Sequence, residues 1–223
     1  MADMREFGEM DLNDRGGPHD FNYPDGRNVP ATRGPTPSQT VGPFFAYGLT
    51  PGAYGYAQRE LHTNQLAGPD VAGEPILIEG QIFDATGGSV HDAMVEILQA
   101  DSAGHYATAP RNDGFTGYGR MGTGSTGPES AGGNTMFQFR TIRPGATAPG
   151  AAPFITLIVT MRGMMNHCIT RIYFPEDAPD SDPVLAAVPA IRRATLVAKR
   201  VSPGRYRFDI HLRGDAETVI FDV

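Results

Sequence analysis

Short runs of β-forming residues, each followed by a turn, recur from Pro75 to the end of the chain and limit the possible folds more than any other feature. In the clearest run, Arg205–Arg213, apolar and polar residues alternate, and the apolar set is Tyr206, Phe208, Ile210 and Leu212. This period of two is typical of a strand with one buried face. Seven such runs, with 28 Gly and 19 Pro to form turns, predict an all-β, antiparallel β-sandwich.

The other strands can be assigned in the same way. They are predicted at Ile76–Asp84, Ala93–Gln99, Met136–Ile142, Phe154–Met161, His167–Phe174 and Glu217–Val223. Phe154–Met161 is apolar enough to predict burial on both faces. One short helix is predicted at Pro183–Val188, with Ser181 or Asp182 as its N-cap and Pro183 at the first helical position.

The N-terminal third has a different composition from the strand-rich part. Residues 1–35 are polar, rich in Gly, Asp and Pro, and without any period, which predicts a flexible arm. Residues 36–70 carry aromatic side chains among loop-forming residues, which favours an extended segment that docks on another surface. We therefore expect one β-sandwich domain over residues 36–223, with this docking segment at its start.

Charge and cysteine content exclude several classes of protein. The formal net charge is −7 and the basic residues form no tract, which argues against nucleic-acid binding. The single cysteine, Cys168, excludes an internal disulfide and favours a reducing compartment. The acidic start lacks a signal-peptide pattern, and no apolar run approaches the roughly 20 residues of a membrane span. These features predict a cytoplasmic protein.

The residues that could carry chemistry do not form a recognisable metal or nucleophile motif. No two of the six histidines are spaced as H-x-H or H-x-x-x-H; they are His19, His62, His91, His105, His167 and His211. Cys168 follows His167 on a predicted strand, where neighbouring side chains point to opposite faces, so we expect a buried thiol. The stretch from Gly119 to Asn166 contains neither histidine nor tyrosine.

Two stretches that flank and enter this gap, Gly80–Tyr106 and Phe137–Thr160, resemble the intradiol, catechol-cleaving ferric dioxygenases. The resemblance implies an Fe(III) site with two tyrosinate and two imidazole ligands. Tyr106 stands at the position of the first tyrosine. Thr147, after Pro144–Gly145, stands at that of the second, and the H-x-H pair is replaced by Phe154 and Thr156. We therefore expect that this chain binds no metal and has no catalytic residue of its own.

Further segments resemble one type of subunit in this family, an α subunit that has lost its ligands and pairs with a homologous, iron-binding β subunit. They are Thr36–Phe45, Thr160–Gly163, Thr170–Phe174, Thr195–Arg200, Tyr206–Ile210 and Glu217–Asp222. The resemblance implies a hetero-oligomer of αβ units with iron on the partner, acting on protocatechuate and O₂ in the β-ketoadipate pathway of aromatic catabolism. It also implies that this chain helps to wall the partner's substrate pocket through Thr40, Gly42, Pro43, Phe44 and Arg162.

Other interpretations remain open from the residues themselves. Gly42–Pro43 is compatible with an ordinary turn, Arg162 with a solvated arginine, and Tyr106 with a packed tyrosine at a strand end. A metal-free β-sandwich that acts only as a binding or scaffold module is an alternative function. A self-sufficient dioxygenase would have to recruit Tyr106, His105 or a distant histidine as ligands.

Overall fold

The predicted strands pair into sheets in the computed structural model, which describes residues 38–42, 44–57, 62–109, 111–124, 135–177 and 182–222. The strands are β1 (Pro75–Phe83), β2 (Met94–Gln99), β3 (Tyr118–Gly122), β4 (Met136–Ile142), β5 (Phe154–Thr160), β6 (Cys168–Tyr173), β7 (Lys199–Ser202), β8 (Arg205–Arg207) and β9 (Ile210–His211). The helices are α1 (Phe45–Leu49), α2 (Pro183–Ala187) and α3 (Ala190–Arg193), with 3₁₀ turns at Pro51–Tyr54 and Ala194–Leu196. In this part of the chain no helix is long and apolar enough to cross a membrane.

The described strands form two sheets. The first has the order β4-β1-β8-β7, with β9 also paired to β1, and the second has the order β3-β2-β5-β6. The second sheet is antiparallel throughout. In the first, β8 and β9 run parallel to β1. The β-sandwich is confirmed, and one of its sheets is mixed, because the long connection from β4 to β8 returns the chain to β1 in the same direction.

The core lies between the two sheets and follows the alternation in the sequence. Ile78 and Phe139 from the first sheet join Val95, Ile97 and Leu157 from the second in one cluster of fully buried side chains. The inner face of strand β5 is fully buried, whereas on its other face only Phe154 is buried and Thr156, Ile158 and Thr160 are half-buried. The prediction that β5 is buried on both faces is therefore wrong for the outer face beyond Phe154.

The longest alternating run, Arg205–Arg213, is interrupted in the structure. Its apolar side chains point into the core as predicted, but β8 ends at Arg207 and β9 begins at Ile210. At the break, the Asp209 carboxylate accepts a hydrogen bond from the Gln81 backbone N–H at 3.0 Å. A side chain thus replaces a backbone partner in the ladder and divides the predicted strand.

Two other segments differ from the prediction. Residues 217–222 form no regular strand, and Phe221 makes a single bridge to Ile169. Within the predicted extended segment 36–70, residues 45–49 form α1 and residues 51–54 form a 3₁₀ turn. The predicted flexible arm, residues 1–35, lies outside the described residues and stays a prediction.

The N-terminus of α2 matches the capping prediction. Asp182 is the N-cap, and its Oδ1 accepts hydrogen bonds from the backbone N–H groups of Val184 and Leu185 at 3.0 and 2.9 Å. Its Oδ2 accepts a third from the Ala152 N–H at 2.7 Å. Asp182 therefore fixes the helix and also ties it to the chain just before β5.

Candidate functional site

Two loops pack directly on each other at one end of the second sheet. They carry Tyr106 and Thr147, which stand at the positions that the resemblance assigns to the two tyrosine ligands; we call the four positions mapped in this way ligand-equivalent. After β2 the chain turns at Asp101, whose Oδ1 accepts hydrogen bonds from the N–H groups of Ala103 and His105 at 3.0 Å each. A side chain at Gly104 would place its Cβ 2.0 Å from the Ala146 carbonyl oxygen. The loop that leads to Tyr106 thus contacts the loop that contains Thr147.

The other two positions lie on β5, at the same end of the sheet. Thr156 pairs with Leu98 on β2 and with Arg171 on β6. Directly opposed residues share a face, and Leu98 is 41% exposed, so Thr156 and Arg171 lie on the face turned away from the core. Phe154 lies two residues earlier on this face. The four positions mapped by the family resemblance are therefore gathered at one end of the second sheet.

The donor atoms at this place do not fit ferric iron. Phe154 offers no donor, and Thr147 and Thr156 offer neutral hydroxyls, which are poor ligands for a hard, highly charged cation. Tyr106 offers one phenol, whose pKa is raised by burial and partly lowered again by the charge of Arg171. Among the described residues, no group of three or more His, Cys, Asp or Glu side chains could hold a metal ion.

A guanidinium group lies among these positions. The Cζ atom of Arg171 is 4.0 Å from the centre of the Phe154 ring and 5.8 Å from that of Phe221. Its Nη1 donates to the Tyr173 hydroxyl at 3.3 Å. Phe154 itself is 9% exposed and packs against Leu185 on α2. This end of the sheet is occupied by stacked aromatic rings and a cation.

The residues that the resemblance assigned to the partner's pocket lie elsewhere. The Thr40 hydroxyl accepts a hydrogen bond from the Gly163 N–H at 2.8 Å, which joins the N-terminal segment to the turn after β5. In that turn, Arg162 Nε donates to Asp92 Oδ2 at 2.6 Å. We call Thr40, Asp92 and Arg162 the rim. Phe154 and the rim flank opposite ends of β5, whose first and last residues are roughly 20 Å apart at about 3.3 Å per residue.

Arg162 is exposed and only partly engaged. Its side chain is 48% exposed, whereas that of Asp92 is 23% exposed. Within the described part of the chain, the bond through Nε is its one hydrogen bond. The terminal amino groups of the guanidinium therefore donate to no acceptor among the described residues. The Asp92 carboxylate holds the guanidinium in place through Nε.

An aromatic surface extends from the rim, formed by Phe44, Tyr47, Tyr54 and Tyr56. Tyr47 contacts Tyr54 edge-on, with ring centres 4.7 Å apart, and Tyr56 at 5.7 Å. Burial raises the pKa of the Tyr54 phenol, as do nearby Tyr47 and Asp92, while the charge of Arg162 lowers it. Phe44 is 75% and Tyr56 is 52% exposed. Large aromatic side chains at such exposure mark a surface suited to a partner protein.

The first residues of this segment are open to solvent. A Cβ placed on Gly42 would meet no atom of the described residues within 4 Å, so no contact with them requires glycine there. Phe44 precedes α1 directly and makes a tilted ring contact with Tyr47 at 5.8 Å. Pro43 lies outside the described residues.

Sequence reasoning missed two residues of these sites. Asp92, the partner of Arg162, is 70 residues away along the chain, and no local pattern links the two. Arg171 carried a usable signal, because it is a charged residue in the interior of an otherwise largely apolar strand, Cys168–Tyr173. Its register with Thr156 became visible only when the sheet was assembled.

Comparison with known proteins agrees with this fold. A family model described as Dioxygenase matches residues 40–214. The protocatechuate 3,4-dioxygenase alpha chain of Burkholderia cepacia is 49% identical over 198 residues, which cover 84% of this chain and 97% of the relative. The beta chain from the same organism is 29% identical over 182 residues, which cover 72% of this chain and 73% of the relative.

A solved structure supports the fold alone. The intradiol ring-cleavage dioxygenase from Tetranychus urticae superposes with a TM-score of 0.51 at 16% identity, covering 82% of this chain and 98% of that one. The match of the family model over most of the chain and the 49% identity to a full-length relative agree with the architecture. The chain belongs to the intradiol dioxygenase family.

Proposed function

We propose that this chain is the α subunit of a protocatechuate 3,4-dioxygenase, and that a homologous β subunit holds the ferric iron. The assembled enzyme cleaves protocatechuate with O₂ between its two hydroxylated carbons and forms 3-carboxy-cis,cis-muconate. The similarity to an alpha chain over 97% of that chain supports this, as does the similarity to a beta chain. With Cys168 as its one cysteine, this chain forms no internal disulfide, which suits the reducing cytoplasm.

The separation of the rim from Phe154 is the observation that supports the proposal most strongly. The two lie at opposite ends of β5, which is roughly 20 Å long, and the residues around Phe154 offer few metal-binding atoms. A pocket wall at that distance cannot serve chemistry at this chain's own ligand-equivalent position. Arg162 of the rim is exposed and bonds to Asp92 only through Nε, as expected of a residue that faces a site on another chain.

The rim offers recognition of a carboxylate. Protocatechuate carries a carboxylate on its ring, and the guanidinium of Arg162 supplies a positive charge and terminal N–H groups that bond to none of the described residues. Asp92 orients that group through Nε at 2.6 Å. We propose that Arg162 helps to hold the anionic substrate in the partner's pocket. Thr40, Gly42 and Phe44 are proposed to form the adjoining wall, and the assignment of Pro43 to it stays a prediction from the sequence.

The aromatic surface is proposed to pack against the β subunit. Phe44 and Tyr56 would lose most of their exposed area there, and such aromatic anchors commonly dominate protein interfaces. In the assembled complex, limited proteolysis should spare residues 44–56. Rapid cleavage within this segment while the complex remains intact would argue against the packing.

The test of the function is reconstitution with a cloned homologous β chain. The purified α chain alone should contain no stoichiometric iron and show no protocatechuate-dependent O₂ uptake. Co-expression with the β chain should give a complex with both. Activity from this chain alone would refute the proposal. Failure to associate with any β chain would favour a scaffold role without an enzymatic partner.

A further inference from the structure

We infer that the guanidinium of Arg171 takes the place of the metal's positive charge at the ligand-equivalent end of the second sheet and excludes cations from it. The inference goes beyond the proposed function, because it concerns this chain's own degenerate position and needs no partner subunit. Two features would then keep a metal ion from this end of the sheet, namely the lost ligands and the positive charge of Arg171.

The guanidinium of Arg171 lies beside two of the ligand-equivalent positions. Arg171 pairs with Thr156 across the β5–β6 ladder, and its Cζ lies 4.0 Å from the centre of the Phe154 ring. Thr156 and Phe154 stand where the resemblance puts the two imidazoles. Imidazole ligands at these two positions would therefore hold a cation within a few ångströms of the guanidinium.

The positive charge of Arg171 has no direct carboxylate partner among the described residues. Arg171 forms no ion pair with them, and it donates one hydrogen bond, to the Tyr173 hydroxyl at 3.3 Å. A hydrogen-bonded path to a carboxylate passes through that hydroxyl, which donates to Asp182 Oδ1 at 3.4 Å. Asp182 Oδ1 already accepts two backbone hydrogen bonds, from Val184 and Leu185. In the described part of the chain the charge of Arg171 therefore meets aromatic faces and a hydroxyl rather than a direct ion-pair partner, and it repels a second cation.

The charge of Arg171 also acts at Tyr106, on the loop beyond β2. It lowers the pKa of the Tyr106 phenol, against the larger effect of burial, which raises it. The ring contact of Arg171 with Phe154 and its register with Thr156 place the guanidinium at two of the four positions mapped by the resemblance, and its charge also acts on a third. The same guanidinium contacts the rings of Phe154 and Phe221 and the Tyr173 hydroxyl.

The test introduces a simple metal site with and without Arg171. In the full-length chain, Phe154→His with Thr156→His creates two imidazoles on one strand face, and Zn²⁺ binding is measured by titration calorimetry. Adding Arg171→Gln should tighten Zn²⁺ binding by roughly ten-fold or more, because it removes a positive charge close to the divalent ion. Equal affinity with and without Arg171 would overturn the inference.

A matched pair on the same strand controls for general effects. Ile158→His with Thr160→His places the same two groups on the same face of β5, further from Arg171. There Arg171→Gln should change the Zn²⁺ affinity by less than about two-fold, since the charge is more distant and better screened. A gain as large as that at the first pair would also contradict the inference.

A second variant keeps the test decisive if replacement of the buried Phe154 prevents folding. Thr156→His with Ile158→His retains Phe154 and still pairs across the ladder from Arg171. The same gain on adding Arg171→Gln is expected, and its absence in a folded protein would refute the exclusion. Because no β subunit is used, these outcomes are independent of the reconstitution experiment.

Discussion

Replacement of Arg162 by alanine tests the proposed rim most directly, because the structure separates its effect on activity from its effect on stability. The Arg162–Asp92 pair is about half exposed on the arginine side. Exposed ion pairs contribute about 0–1 kcal/mol to folding. We therefore expect the variant chain to fold, to assemble with the β subunit and to leave the iron content unchanged.

The expected effect on activity is larger. A hydrogen bond to a charged group contributes about 1.5–3 kcal/mol, which corresponds to a loss of roughly 10- to 150-fold in kcat/KM for protocatechuate. The terminal amino groups of Arg162 make no hydrogen bond to the described residues, so this whole interaction is available to a substrate. Asp92→Asn should give a smaller loss, because it weakens only the orientation of the guanidinium.

The assay is steady-state O₂ uptake by the purified complex at several protocatechuate concentrations. Arg213→Ala serves as the matched control, since Arg213 is an exposed arginine outside both sites. It should leave kcat/KM unchanged. If Arg162→Ala has wild-type kinetics in a complex with full iron content, the arginine does not reach the substrate and the pocket role fails.

Three further predictions concern stability. Gly104→Ala should destabilise the fold by about 3 kcal/mol or more in urea unfolding, because Gly104 has φ +86° and a Cβ would collide with the Ala146 carbonyl; an unchanged midpoint would refute the loop packing. Asp182→Ala should cost about 2–4 kcal/mol, since three backbone N–H groups lose their acceptor; a loss below 1 kcal/mol, roughly that of a surface site, would contradict this. Burial and the hydrogen bond to Glu96 raise the pKa of Tyr118 from 10.0 to about 12. This contribution to stability is complete below pH 10 and is lost as the pH rises through 12. Tyr118→Phe should therefore flatten the decline of stability over that interval, and an unaltered slope would count against the shift.

Local patterns in the sequence predicted the elements that depend on neighbouring residues. The alternation in Arg205–Arg213 predicted which side chains enter the core, although not that Asp209 would divide the strand by bonding to Gln81. The sequence predicted a cap at Ser181 or Asp182 just before Pro183, and the structure has Asp182 as the N-cap. Both patterns act over a few residues, where backbone geometry alone decides the outcome.

The short helix α1 was missed because local patterns do not decide its formation. A five-residue helix rich in Gly and aromatics has weak intrinsic preference, and its formation depends on packing that local propensity does not contain. The parallel pairing of β8 and β9 with β1 was also missed. It joins residues more than a hundred positions apart, as in the register of Ile78 with Tyr206.

The sequence by itself determined that this chain is a β-sandwich, because strand periodicity is visible in the residues. It also determined that Thr147, Phe154 and Thr156, at three of the four positions mapped by the resemblance, carry poor ligands or none. Only the tertiary structure decided where those positions lie relative to the rest. It joined Asp92 to Arg162, set the rim at the opposite end of β5 from Phe154, and brought Arg171 beside Thr156. Such contacts depend on sheet register and long-range closure, which no local pattern specifies.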